Sequence, residues 1–138
     1  MSGGAHYIFN VVTAHERAAE RLRAGMWGVD EREPQSSALA AGDLVLIYLA
    51  APERAFIGRA ELVSSVHEWT GSEAQAYPGD SAGGVLLSRV EEWDPPVPMD
   101  AVLAQIASET AKGDFDAAVV RISEREYETA VAVAAMCP

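Results

Sequence analysis

Leu44-Val45-Leu46-Ile47-Tyr48-Leu49 is the segment that most restricts what this chain can fold into. A half-exposed strand alternates apolar and polar residues, and this run does not. It fits a central strand covered on both faces. Gly42-Asp43 supplies a turn into it, and Ala50-Ala51-Pro52-Glu53-Arg54 reads as a hairpin connection out of it. Phe56, Gly58, Ala60 and Leu62 then alternate with Ile57, Arg59 and Glu61 in a returning strand. Gly58 within that strand predicts the close approach of another backbone, or a sharp bend of a closing sheet.

The flanking segments supply the neighbours such a strand needs. Tyr7-Ile8-Phe9-Asn10-Val11-Val12 is β-branched and aromatic and predicts a first strand. Thr13 and Glu16 have the spacing of a capping box, and Ala14, Ala18, Leu22 and Met26 recur every four residues as the buried stripe of a helix. Gly25 is the expected stop, delivering the chain to Met26-Trp27-Gly28, and Val29 to Ala41 reads as loop. A second, longer loop is expected from about Ser64 to Gly84, holding Trp69, Tyr77, Pro78 and four glycines. Val85 to Val90 predicts a strand that ends at Glu91-Glu92-Trp93-Asp94-Pro95-Pro96, and Pro98 and Asp100 open a short helix through Ile106. Ala117 to Ile122 predicts a last strand. Ser123 and Glu126 form a second capping box, starting a helix with Tyr127, Ala130, Val131 and Ala134 on its apolar side. The order predicts an α+β fold over residues 1–138 as a single domain. Its sheet is curved or barrel-like, of about five to six strands, with helices around it.

Charge narrows the function. Acidic residues outnumber basic ones 21 to 10 among 138 residues, for a net charge of −11, and Lys112 is the only lysine. A protein that holds nucleic acid along a broad basic surface needs clustered Lys and Arg, and docking on anionic membranes needs the same. A small pocket that reads one base is still compatible with this charge. Cys137 is the single cysteine, which leaves no disulfide framework and no cysteine-based metal site. No apolar run approaches the ~20 residues of a membrane span. Met1-Ser2-Gly3-Gly4 lacks the apolar stretch of a signal peptide, so a cytoplasmic location is expected.

Enzyme signatures are weak. His6, His15 and His67 have no metal-ligand spacing, and the chain has no nucleophile elbow, phosphate loop or dinucleotide fingerprint. Gly79-Asp80-Ser81-Ala82-Gly83-Gly84 resembles the sequence around a serine-protease nucleophile only superficially, and Glu91 and Glu92 read as solvated charge. No catalytic residue, cofactor or metal is therefore expected. Aromatic residues carry the better signal. Trp27, between Gly25 and Gly28, is either a core residue or an aromatic presented at a sheet edge. Trp69 and Tyr77 either plug the core from the loop or offer faces for stacking, while Trp93 reads as structural. Base–aromatic stacking is worth roughly 1–3 kcal/mol per base, so two such walls bind a nucleotide without a basic surface.

Taken in order, Tyr7 to Val12, the helix ending in Gly25-Met26-Trp27-Gly28, Leu39-x-x-Gly42-Asp43-x-Val45-x-Ile47-Tyr48 and Phe56-Ile57-Gly58-x-Ala60 resemble the EVE domain. EVE domains belong to the PUA-like group and are related to YTH domains, which read N6-methyladenine in RNA. Val85 to Val90, Pro95-Pro96-Val97-Pro98 and Val119-Val120-Arg121-Ile122-Ser123 extend the resemblance over nearly the whole chain. It implies a small PUA-like β-barrel with peripheral helices and one pocket for a modified base, such as a 5-modified cytosine. Carried over by position, Trp27 matches an aromatic wall and Thr13 a polar residue that reads the base edge. Arg17 stands where YTH domains place an asparagine, and the backbone of Val11 and Val12 lines the floor. The second wall comes from the loop, from Trp69 or Tyr77, and Tyr48 lines the pocket or supports it. Thr13 and Arg17 in place of asparagines depart from the adenine-reading pattern.

The leading expectation is thus a non-catalytic reader of a modified base in DNA or RNA. Arg17, Arg21 or Arg54 would meet the flanking phosphates. The alternatives are an acidic interaction subunit for a basic protein partner, favoured if Trp27 and the loop aromatics are all buried against the core, and an enzyme on a nucleotide-like metabolite.

Overall fold

In the computed structural model, described for residues 4–30, 32–33, 36–50, 53–77, 79, 81–103 and 119–136, the apolar run is strand β3 (Leu44–Leu49). It pairs in parallel with β1 (His6–Val11) and antiparallel with β4 (Ala55–Leu62). A parallel pair needs a long crossover. Helix α1 (His15–Ala24), strand β2 (Met26–Gly28) and a 3-10 turn at Ser36–Ala38 occupy it. The chain continues through β5 (His67–Glu68), α2 (Gly71–Ala76), β6 (Gly83–Pro98), α3 (Met99–Leu103), β7 (Val119–Ile122) and α4 (Glu124–Met136). The strand order is β2-β6-β4-β3-β1-β7, with β5 also on β6; every pair except β1–β3 is antiparallel. The result is an α+β half-barrel, a curled mixed sheet with helices packed on it.

Both faces of the central strands are covered, as the unbroken apolar run requires. Val45, Ile47 and Leu49 join Tyr7, Phe9, Trp27 and the α1 residues Ala18 and Leu22 in one core. Leu46 and Tyr48 point the other way, into a second core with Ile8, Phe56, Trp93 and the α4 residues Tyr127, Ala130 and Val133. Period-2 alternation along each strand sorts the two sets. The turn before β3 is built on the buried Asp43, whose carboxylate accepts the Ala5 and Ala40 N–H groups at 2.9 and 3.0 Å. Gly42 beside it has φ +95°, a conformation that favours glycine.

Curling comes from β4 and β6. Trp93 to Pro96 stand opposite the single residue Ile57, and a second irregularity falls near Arg89, whose φ is +51°. Such bulges bend a strand and increase its twist. They also correct the expected end of this strand at Glu91. Pairing resumes at Val97 and Pro98, because Pro95 and Pro96 sit where no ladder donor is needed. At Gly58 the Glu91 carbonyl lies where a Cβ would be, which is the close approach its glycine predicts.

Other expectations divide. Gly25 ends α1 in the left-handed conformation, φ +72°, and its N–H reaches the Leu22 carbonyl at 3.0 Å. The Thr13–Glu16 capping box does not form. The N-cap is Ala14, one residue later than that box requires, and it has no side-chain hydrogen bond. The second box does form: Ser123 N–H donates to Glu126 Oε1 at 2.8 Å, and Glu126 N–H to Ser123 Oγ at 3.0 Å. On α4, Val133 is buried while Val131 and Ala134 pack at the margin of the core. The expected loop from Ser64 to Gly84 contains β5 and α2. Thr70 and Glu73 there form a capping box that the sequence reading passed over. The expected helix end at Ile106, Ala117–Ala118 of the last strand, and Lys112 and Cys137 lie outside the described residues.

Candidate functional site

The site is assembled where the edge strand β2 meets α1 and the segment around α2. On β2, Gly25 carbonyl and Val29 N–H bond to β6, at 2.8 and 3.1 Å, so the backbone of Gly28 faces the free edge. Tyr77 occupies that edge: its hydroxyl accepts the Gly28 N–H at 3.0 Å. Trp27 points inward, 3% exposed, with its ring stacked on Phe9 at 6.2 Å and 23°. Arg21, one turn before the end of α1, lies over both aromatics. Its guanidinium carbon is 5.6 Å from the Trp27 ring centroid and 5.8 Å from that of Tyr77. Trp69 packs behind Tyr77 at 5.1 Å, and the His67 ring meets Trp69 edge-on at 5.6 Å. Met26 and Leu86 close this group from the sheet side.

A cleft of about 500 Å³ opens beside His67, lined by Val29, Asp30, Arg32, Val66, His67, Glu68, Ser81, Ala82 and Gly83; Trp27, Tyr77 and Trp69 lie behind this lining. Its volume lies within the range typical of small-molecule sites. Gly28 joins cleft and rings, because a methyl group there would overlap both Ser81 and the Tyr77 hydroxyl.

Two of the charged groups lining the cleft are paired to each other, and a third pairs with α2. Arg32 donates to both Asp30 oxygens, Nη2 to Oδ2 at 2.9 Å and Nε to Oδ1 at 3.2 Å, and its N–H adds 2.9 Å to Oδ1. These bonds hold the Asp30 carboxyl down to about 2. His67 places Nδ1 3.1 Å from the Ser65 carbonyl and Nε2 3.0 Å from Glu73 Oε1. Two acceptors require two N–H donors, which only the imidazolium has. The Ser65 carbonyl first, and then Glu73, accordingly raise the His67 pKa, partly offset by burial. Bonds from Thr70 N–H and His67 lower that of Glu73. Among the described residues no group of three or more His, Cys, Asp or Glu is placed to hold a metal ion, and no helix is long and apolar enough to cross a membrane.

Of the residues singled out in the sequence, Tyr77 and Trp69 pack on each other, and Trp27, which belongs to the other core, meets Tyr77 only through Arg21. Tyr77, not Trp69, shares the Arg21 guanidinium with Trp27. Val11 packs at the margin of the Trp27 core, while Val12 is 80% exposed at the end of β1. Thr13 is half-buried and Arg17 exposed, and no hydrogen bond or ring contact joins either to the aromatic group among the described residues. Tyr48 is on the opposite face of the sheet, 5.1 Å from Phe56, because it is one residue out of phase with Ile47. It is therefore not part of this site. Arg21 was legible only as a cation near the pocket mouth. Its place beside the apolar stripe at Ala18 and Leu22 is the signal for its inward reach.

No protein-family model matches the chain, and neither does any curated protein. Solved structures do match. A hypothetical protein from Leishmania major superposes with TM-score 0.68 at 14% identity, covering 96% of this chain and 95% of its own. The human THYN1 protein in complex with 5-methylcytosine-containing DNA gives 0.65 at 13%, covering 98% and 100%. ASCH from Zymomonas mobilis gives 0.59 at 13%, covering 93% and 94%. The fold is PUA-like. At such identities the likeness is one of architecture.

Proposed function

We propose that this chain is an EVE-type binding module that takes a modified nucleobase of the 5-modified cytosine class from a nucleic-acid strand, without catalysis. The observation that carries the reading is the pair Trp27 and Tyr77 sharing one guanidinium, with a cleft of base size joined to them through Gly28. A full-length structural counterpart that holds 5-methylcytosine DNA supports it. The base is extruded from its strand and stacks on Trp27 and Tyr77. Thr13 and the backbone of Val11 and Val12 bond its edge, and Arg17 meets a phosphate. Non-catalytic binding fits a cleft in which Asp30 is paired with Arg32 and His67 with Glu73, leaving Glu68 as the other lining carboxylate.

Titration of 5-methylcytosine and unmodified oligonucleotides, as DNA and as RNA, tests this through tryptophan fluorescence. The methylated strand binds more tightly, and Trp27→Ala weakens it by the ~1–3 kcal/mol of one stacking contact. Equal affinity for both strands, or an unaffected Trp27→Ala, removes the reading.

One observation favours the alternative, an acidic module that docks a basic protein. Trp27, Tyr77 and Trp69 are 3, 6 and 9% exposed, so no aromatic face is open as the structure stands. Under that reading strongly basic polypeptides bind with the same affinity to wild type and Trp27→Ala, and modified bases do not compete.

A further inference from the structure

The closed aromatic group has one weakly held member. Phe9 is core, and Tyr77 is tied to the Gly28 N–H. The Arg21 side chain has neither a hydrogen bond nor an ion pair among the described residues, and its Nε is buried without a partner. Four other arginines are held by acids. Arg23, Arg32, Arg59 and Arg89 each lie within 4 Å of a carboxylate, of Glu92, Asp30, Glu91 and Glu61 respectively. With acids in twofold excess, a guanidinium held only by two rings can leave without breaking a polar bond. It is also planar and stacks on aromatic faces much as a base does.

We propose that Arg21 is a displaceable plug of the aromatic site. Its guanidinium covers Trp27 and Tyr77 in the free protein. An entering base takes that place, and the freed guanidinium turns outward to a phosphate of the same strand. This rests on the reading of the site as a nucleobase pocket, and it adds how the pocket closes and what opens it. It also accounts for burial of Trp27 and Tyr77 in a protein that stacks bases.

Arg21→Ala and Arg21→Met, with 5-fluorotryptophan incorporated, test it in the ligand-free protein. The Trp27 19F signal is assigned by its loss in Trp27→Phe. Arg21→Ala raises the access of a soluble paramagnetic agent to Trp27 at least twofold, whereas Arg21→Met, which keeps an apolar cover, does so less. 5-Methylcytidine, which has no phosphate, binds Arg21→Ala several-fold more tightly than wild type. A methylated single strand instead loses about 0.7 from the slope of log affinity against log salt, the share of one phosphate contact. Unchanged access, or nucleoside affinity that is equal or weaker in Arg21→Ala, overturns the plug even where wild type prefers methylated strands. Failure of every variant to bind nucleoside or strand overturns the pocket reading, and the plug with it.

Discussion

Asp43 shows how much one buried charge organises. It bridges the N–H groups of Ala5 and Ala40, so the start of β1 and the turn into β3 share one acceptor. Asp43→Ala leaves both donors unpaired and should cost about 1–3 kcal/mol, read as a lowered urea midpoint, with Asp43→Asn costing less. The Gly-Asp pair that contributes to the family resemblance therefore has a structural task. His67 carries a different prediction. Its pKa is raised from the ordinary 6.5, so its contribution to stability is complete below that pH and is lost as pH rises through the folded value. Glu73, lowered from 4.5, contributes above 4.5 and loses its effect as pH falls through its folded value. The pair thus supports β5 and α2 best between these limits. Hydrogen exchange at α2, corrected for its intrinsic base catalysis, should speed up as pH rises above 6.5 through the raised His67 value, by less in His67→Gln.

At the scale of elements, the two longer helices differ at their starts. On α4, Ser123 and Glu126 satisfy each other's backbone donors, and Ser123→Ala should cost about 1 kcal/mol in denaturant unfolding. On α1, Ala14 offers no side-chain acceptor. Ala14→Asp, at an exposed and already extended position, should stabilise by about 0.5–1 kcal/mol in the same measurement. Ser123→Ala, at the start of a helix packed on the opposite face of the sheet from Trp27, should leave base binding unchanged. β2 is protected differently. Tyr77 caps its free edge through the Gly28 N–H, which occupies one of the donors an exposed edge would offer to another chain. Arg23 and Glu92 join α1 to β6 by a bidentate pair, at 2.9 and 3.0 Å, on an exposed surface where such a contact contributes little.

For the whole molecule, the charge of −11 sets how nucleic acid would be held. If Arg21 and, as proposed, Arg17 each meet one phosphate, log affinity for a modified single strand should fall against log salt with a slope of only about −1 to −2, in titrations over a range of salt. A slope near that of a multi-phosphate binder would place the contact elsewhere. The local pattern already contained β1, β3, β4, the glycine stop of α1 and the capped C-terminal helix. Each follows from periodicity or turn chemistry, which depend on neighbours in sequence. The face on which Tyr48 lies could not be read, because a strand apolar on both sides carries no label for the side that Trp27 occupies. The prolines after Trp93 looked like an end, and only the bulge against β4 allows β6 to continue. Arg21 over Trp27 and Tyr77 was equally out of reach, since α1, β2 and the end of α2 meet there only after the sheet has curled. Sequence alone thus determined the central strand, most of the elements and the aromatic residues available. Tertiary structure decided which of those aromatics meet, on which face, and that a cation covers them, because stacking depends on distances between elements that no local pattern encodes.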